Sequence, residues 1–104
     1  MPQLTLVYWR DIPAQIIAGS GRRAVKRPLP ERFEQAIDRA AMRAGMAGTD
    51  AYLSAWRKVA AGQRPGSDTE AADAETARID SAYGPDRLRT LIEAGGHDAA
   101  NADA

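Results

Sequence analysis

The apolar residues change their spacing at one place, residues 28–30 (PLP), and this change constrains the fold more than any other feature of the sequence. Upstream, residues 3–10 (QLTLVYWR) alternate with a period of two and are rich in β-branched and aromatic side chains, which favours a strand. Downstream, apolar residues from Phe33 onward recur at helical spacing. We therefore expect a single small α+β domain, with strands first and helices after them.

The N-terminal third predicts a short antiparallel β-meander of two or three strands. Residues 3–10 form its first strand, and residues 11–13 (DIP) form a turn, because proline fixes φ and donates no hydrogen bond. Residues 14–18 form a second strand, residues 19–21 (GSG) reverse the chain, and residues 22–27 return as a charged edge strand. In the first strand, one face would carry Leu4, Leu6 and Tyr8, and the other Thr5, Val7 and Trp9.

Three or four helices are expected after the strands. The first begins at Pro30, where the missing N–H costs nothing, and ends at Gly45. A second, capped by Thr49 or Asp50, would continue to Gly62. The stripe of the first helix comprises Phe33, Ala36, Ile37, Ala40, Ala41 and Ala44. The inner face of the second would comprise Tyr52, Leu53, Trp56, Val59 and Ala60.

The last third predicts two weaker helices and a tail. Residues 68–83 are rich in alanine and acidic residues and carry a thin apolar stripe, so this helix is expected to be held only marginally. A short helix follows Gly84 and Pro85 and closes at residues 95–96 (GG). The domain therefore covers residues 1–95, and residues 96–104 are expected to be a disordered tail.

Composition excludes several classes of site. The chain has 104 residues with no cysteine and one histidine, so thiolate metal sites, disulfides, cysteine nucleophiles and multi-histidine metal sites are excluded. His97 lies in the expected tail. The N-terminal apolar run is too short for a signal segment or a membrane span. We expect a cytoplasmic protein with no cofactor, no metal and no membrane partner.

The formal net charge of +0 conceals two oppositely charged parts. Residues 1–64 carry eleven basic and five acidic side chains, a balance of +6, whereas residues 65–104 carry three basic and nine acidic ones, a balance of −6. Two arrangements follow: the acidic part folds back and neutralises the basic part, or the basic part faces an anionic partner.

The candidate site residues are basic and aromatic. A partner- or anion-binding surface is expected from Arg10, Arg22, Arg23, Lys26, Arg27 and Trp9. The basic cluster could equally be a charged edge strand that resists aggregation. One aromatic of residues 8–11 (YWRD) could instead pack in the core, with Arg10 pairing with Asp11 or another acid.

Three function classes follow from these residues. The first is a non-enzymatic interaction or accessory protein whose basic edge docks an acidic protein partner. The second is a nucleic-acid-binding module using the same hairpin, against which the acidic C-terminal part argues. An enzyme is the weakest reading, because no carboxylate pair or serine is matched with a second acid–base group, so we assign no catalytic residue.

Three segments carry a resemblance to a known family: YWRDIPAQIIA (8–18), VKRPLPERFEQAIDRAAMRAG (25–45) and TDAYLSAWRK (49–58). The chain resembles a small bacterial family described as virulence factor, whose domain type is associated with conserved virulence factor C. The likeness covers residues 2–60 well and extends loosely to about residue 95. It implies no catalytic residues. It does imply an association with corrinoid- and tetrahydrofolate-dependent methyl transfer.

Overall fold

Four antiparallel strands and four helices make up residues 1–98, the part of the chain that the computed structural model describes. The strands lie side by side in the order β3-β2-β1-β4. The elements are β1 (Gln3–Trp9), β2 (Ile12–Ala18), β3 (Val25–Pro28), α1 (Glu31–Arg43), α2 (Asp50–Ser54), β4 (Trp56–Gln63), α3 (Asp68–Ala82) and α4 (Pro85–Glu93). The α+β class is confirmed, and one strand lies among the helices.

The first three strands form the expected meander, with a tighter first turn. β1 pairs with β2 from Leu4 opposite Ala18 to Trp9 opposite Ile12, and the register shifts between Val7 and Tyr8. The turn consists of Arg10 and Asp11 alone, so placing Ile12 and Pro13 in it was wrong. Pro13 lies next to the register shift, a position where a strand tolerates a residue without an N–H donor.

β3 is shorter than expected. The chain leaves β2 through Gly19, makes a single 3₁₀ turn over Gly21–Arg23, and re-enters the sheet at Val25. Gly19 and Gly21 both have positive φ, at 90° and 69°, as the reversal requires. Arg22 and Arg23 therefore belong to the connection between the strands.

The segment after α2 is a strand, and the expectation of a long second helix was wrong. β4 pairs with β1 from Gln3 opposite Gln63 to Trp9 opposite Trp56. Its residues are mostly exposed, so pairing with β1 rather than burial of side chains holds the segment in place. As a strand, the segment instead satisfies the backbone groups along the second edge of β1.

Trp9 is fully buried, although it was expected on the face opposite Leu4 and Leu6. Leu4 and Leu6 are buried as well. Trp9 belongs to the same core cluster, because the irregularity between Val7 and Tyr8 interrupts the alternation of faces along β1. Its indole Nε1 donates to the carbonyl of Tyr52 at 3.0 Å, and a Cβ built on Gly96 would lie 2.7 Å from the ring. The expectation that one of the two neighbouring aromatics packs in the core is confirmed.

The helices follow their sequence signals closely. In α1, Phe33, Ile37 and three alanines are buried, and Gly45 beyond its end has φ +70°. Only Ala44 of the expected stripe is exposed, because it lies at the C-cap. α3 begins with a capping box between Ser67 and Glu70, and it packs against β2 and β3. The expected break at residues 84–85 separates α3 from α4.

The end of α4 is tied to the β1–β2 turn. The backbone N–H of Asp11 donates to the carbonyl of Gly96 at 2.9 Å, and the N–H of Asp98 donates to the Asp11 carboxylate at 2.6 Å. Residues 96–98 are thus hydrogen-bonded to the domain, although we expected the tail to begin at residue 96. The rest of that tail, residues 99–104, lies outside the described residues. None of the helices within residues 1–98 has the length and apolarity to cross a bilayer.

Candidate functional site

The acidic part of the chain neutralises some of the basic part. Asp73 of α3 pairs with Arg27 of β3 at 2.8 Å, and Asp80 of the same helix pairs with Arg32 of α1 at 2.5 Å. Arg32 also donates to the backbone carbonyls of Asp80 and Tyr83. Two cations of the N-terminal part are therefore committed to holding α3.

Three expected site residues stay outside this neutralisation. We call residues 20–26 the basic loop; it comprises the turn before β3 and the first two residues of that strand, and it carries Arg22, Arg23 and Lys26, all exposed. Within residues 1–98, none of these three side chains forms an ion pair or a hydrogen bond. The loop follows β2 and leads into β3, whose outer edge has no strand partner in the described sheet. Three free cations thus lie beside an open sheet edge.

Arg10 and Trp9 lie elsewhere and are engaged in packing. They are at the end of β1 that pairs with the start of β2, whereas the basic loop follows the end of β2. The Arg10 guanidinium donates to the carbonyl of Gly95 at 2.8 Å and contacts the sulfur of Met46. The Trp9 ring is not on the surface. The structure therefore does not bring the six expected site residues together.

Asp11 pairs with Arg57 rather than with its neighbour Arg10. The Arg57 guanidinium lies 3.0 Å from the Asp11 carboxylate and 4.8 Å from the centre of the Tyr8 ring. It also donates to the carbonyl of Arg10 at 2.9 Å. The sequence did not indicate this pair, because Asp11 and Arg57 are 46 residues apart.

A small polar cleft lies beside this pair, and the sequence reasoning missed it. It has a volume of about 150 Å³ and is lined by Tyr8, Asp11, Arg57, Val59 and Tyr83. The Arg87 guanidinium lies 3.8 Å from the centre of the Tyr83 ring. Burial, followed by the nearby Tyr83 phenol, raises the pKa of Tyr8. The Tyr8 phenol therefore stays protonated at neutral pH and offers a hydrogen bond rather than a charge.

Glu75 of α3 is the one buried charged residue among the described residues, with 3% of its surface exposed. Both its oxygens accept from the Arg78 guanidinium, at 2.7 and 2.6 Å. These hydrogen bonds outweigh burial and lower the pKa of Glu75. The same contacts raise the pKa of Arg78. The pair fits a structural role, since it links neighbouring turns of one helix.

The described residues hold no group of three or more His, Asp or Glu side chains placed to bind a metal ion. Comparison with known families gives one result. The family model described as virulence factor matches residues 7–92, which span most of the chain. No curated protein and no solved structure matches the chain. The match extends through α3 and into α4, beyond the segments that carry the resemblance best. The chain belongs to the virulence factor family.

Proposed function

We propose that this protein is a non-enzymatic interaction module that docks an acidic segment of a partner protein on its basic loop. One observation carries the proposal: Arg22, Arg23 and Lys26 lie within five residues of the chain, are all exposed, and have no internal partner among the described residues. Arg27, expected in the same site, is committed to Asp73 and contributes mainly by orienting β3.

The surroundings of the loop favour an extended acidic peptide. The free edge of β3 presents backbone donors and acceptors, so a peptide strand can pair there while its carboxylates face the loop. Guanidinium groups bind carboxylates in a bidentate manner, which adds orientation to attraction. The basic loop therefore supplies charge beside a surface that can bind a backbone.

The nearby acids disfavour a nucleic acid, which remains the alternative. Asp68 lies against Gly19 at the start of the loop, and Asp73 lies against Arg27. A phosphate backbone requires a continuous basic track, and these carboxylates interrupt it. A peptide of a few residues can bind between them.

The proposal extends to the setting in which the module works. From the family resemblance, we propose a cytoplasmic accessory role in a corrinoid- and tetrahydrofolate-dependent methyl-transfer system. On this view the acidic segment belongs to one of its enzymes, and the methyl-transfer chemistry takes place on that partner. Capture of such an enzyme by the purified protein, lost when the loop is altered, would support this extension.

The loop itself is tested with defined probes. A fluorescein-labelled glutamate-rich peptide of about ten residues is titrated with protein and followed by anisotropy, at about 50 and about 500 mM salt. The triple variant R22A/R23A/K26A should bind at least about tenfold more weakly, because three rim charges are removed. The matched control R39A/R43A/K58A removes three exposed charges elsewhere and should bind as the wild type does.

Three results would contradict the loop proposal. Equal weakening in both variants would show general charge attraction, and weakening in the control alone would place the site on α1 and β4. A labelled single-stranded RNA that binds more tightly than the peptide, with a steeper salt dependence, would favour the nucleic-acid alternative.

A further inference from the structure

A groove beside α1 combines two aromatic rings with two carboxylates that have no ion-pair partner among the described residues. It has a volume of about 210 Å³ and lies between the β2–β3 region, α1, α2 and the start of β4. Its lining comprises Ala14, Pro28, Leu29, Glu34, Ile37, Asp38, Tyr52 and Trp56. We call the four residues Glu34, Asp38, Tyr52 and Trp56 the aromatic–acidic notch.

The two rings of the notch form a corner. The Tyr52 and Trp56 rings are 6.1 Å apart between centres and almost perpendicular, at 88°. Trp9 supports them from the core: its ring lies 5.7 Å from that of Tyr52, and its indole N–H holds the Tyr52 carbonyl. Trp56 is 36% exposed, an unusual position for so large an apolar ring. Trp9 therefore supports the Tyr52 ring from the core side, and the Trp56 ring remains partly exposed to solvent.

The two carboxylates of the notch have no cation of their own. Glu34 and Asp38 are four residues apart on α1 and exposed, and neither forms an ion pair or a hydrogen bond within residues 1–98. Like charges at this spacing repel each other and destabilise a helix slightly. The arginines nearest along α1 lie on another side of the helix: Arg32 and Arg39 line a separate groove against α4. The negative field at the notch is thus not cancelled by its own helix.

The groove continues past the notch along an apolar surface. A second cleft of about 400 Å³ shares Asp38 and Tyr52 with it and extends to Met42 and Gly48. Met42 is 62% exposed, and Leu53 of the adjacent α2 is 66% exposed. A small organic cation would fill the notch and leave this extension empty, whereas a peptide could cover both.

We propose that this groove binds a basic peptide segment of a partner protein. One arginine or lysine side chain of the peptide lies over the Trp56 ring and pairs with Glu34 and Asp38, and apolar side chains on either side of it pack on Met42 and Leu53. Aromatic faces attract cations, and the two carboxylates can add charge-assisted hydrogen bonds to the same cation. This surface differs from the basic loop in residues and in sign, so the two proposals stand or fall separately.

The test follows the Trp56 indole N–H signal in NMR titrations. The probes are peptides of about eight residues with a central arginine or lysine flanked by leucines, the same peptide with a central glutamate, and tetramethylammonium chloride. The two cationic peptides should shift the Trp56 signal and saturate. The variant E34Q/D38N should bind them at least about tenfold more weakly. It should fold normally, because both side chains are exposed and the lost attraction of Glu34 to the helix N-terminus is offset by relief of the repulsion with Asp38.

Control variants distinguish the effect of losing charge elsewhere on the protein from the effect of altering the notch itself. E31Q/E93Q removes two exposed carboxylates elsewhere and should bind as the wild type does, as should R22A/R23A/K26A. Replacing Trp56 with leucine keeps an apolar side chain in β4 but removes the reporter, so this variant is followed by the backbone amide signals of Asp38 and Tyr52. It should lose most of the binding.

Several outcomes would overturn the proposal. The first is that neither cationic peptide shifts the signal at millimolar concentration. The second is equal binding of the glutamate peptide, and the third is equal loss of binding in E31Q/E93Q. Saturation by tetramethylammonium as tight as by the peptides would assign the notch to a small cation instead.

Discussion

At the scale of single residues, Arg10 shows how position decides what a charged side chain does. Its φ of +52° is uncommon for a residue with a side chain, and the two-residue turn between β1 and β2 requires it. In that conformation its guanidinium reaches the carbonyl of Gly95. A side chain that the sequence suggested for binding an anion is thus used to join the two ends of the domain.

Gly96 is a position where any side chain should be costly. Its φ is +95°, and an added Cβ would lie 2.7 Å from the Trp9 ring. We expect Gly96→Ala to lower the free energy of unfolding by about 2–4 kcal/mol, since strain adds to overpacking. The control is Gly21→Ala, with a similar positive φ but open space, which should lose only about 1 kcal/mol. Equal losses in urea denaturation would refute the close approach to Trp9.

Glu75 should make stability depend on pH in the acid range. Its folded pKa is lowered below the ordinary value of 4.5 by Arg78, so the stabilisation is complete above that value and disappears as pH falls through the lowered pKa. Glu75→Gln should cost about 1–2 kcal/mol at pH 7, because Arg78 is partly solvated, and the cost should shrink toward pH 3.

Urea titrations of Glu75→Gln at several pH values provide the measurement. The matched control is Asp86→Asn, which breaks an exposed pair with Arg89 and should change stability by less than about 1 kcal/mol. A cost of Glu75→Gln that is the same at pH 3 and pH 7 would show that packing, not ionisation, is lost.

At the scale of elements, α3 depends on its first turn. The Ser67 hydroxyl accepts from the N–H of Glu70 at 3.1 Å, and the Glu70 carboxylate accepts from the N–H of Ser67 at 3.1 Å. The hydrogen bond from the Ser67 N–H also lowers the pKa of the Glu70 carboxyl. The alanine-rich helix has few large apolar side chains, although Ile79 is buried. Its cap is therefore expected to contribute clearly to the stability of the helix.

Ser67→Ala should lower the free energy of unfolding by about 1 kcal/mol, and the amides of the first turn of α3 should exchange faster with solvent. Thr49→Ala is a useful comparison, because Thr49 caps the short α2 through the N–H of Tyr52. Its effect should be confined to α2 and leave exchange in α3 unchanged. Uniform acceleration throughout both helices would contradict a local capping role.

The elements also show what local sequence can and cannot determine. The bounds of α1 could be predicted from Pro30 and Gly45, because proline at a helix start and glycine after its end act through their own backbone angles. β4 could not, because Trp56, Val59 and Ala60 recur at i, i+3 and i+4, which is the spacing of a helix. Its conformation depends on pairing with β1, about fifty residues earlier.

At the scale of the whole molecule, ion pairs inside the domain neutralise part of the charge difference between residues 1–64 and residues 65–104. α3 packs on β2 and β3, and its acids reach Arg27 and Arg32. Gly19 and Gly21 predict the chain reversal, but Arg22 and Arg23 were expected in the strand after it, and the structure places them in the turn. The sequence could not predict which cations would be neutralised, since Arg27 and Asp73 are 46 residues apart. The aromatic–acidic notch was also beyond prediction, because it forms only where several elements meet.

Arg32 of α1 should stabilise its contact with the end of α3 more through hydrogen bonds to backbone carbonyls than through its ion pair with Asp80. Arg32→Ala is expected to lower the free energy of unfolding by about 1–3 kcal/mol, because it loses its hydrogen bonds to the carbonyls of Asp80 and Tyr83. Asp80→Asn removes only a partly exposed ion pair and should cost less than about 1 kcal/mol. Thermal unfolding at low and high salt measures both, and the first loss should persist in salt. Equal, salt-sensitive losses would mean that charge dominates.

The contact between the β1–β2 turn and the end of α4 has a consequence for synthesis of the chain. Arg10 and Gly95 are 85 residues apart, so at about 5–20 residues per second a ribosome needs about 4–17 s to deliver the partner of a turn that it made first. During that interval the Trp9 ring lacks the cover of Gly96. The Trp9 side chain of the nascent hairpin thus stays incompletely covered until almost the whole domain has emerged. During this interval it is the largest exposed apolar group that a chaperone could bind.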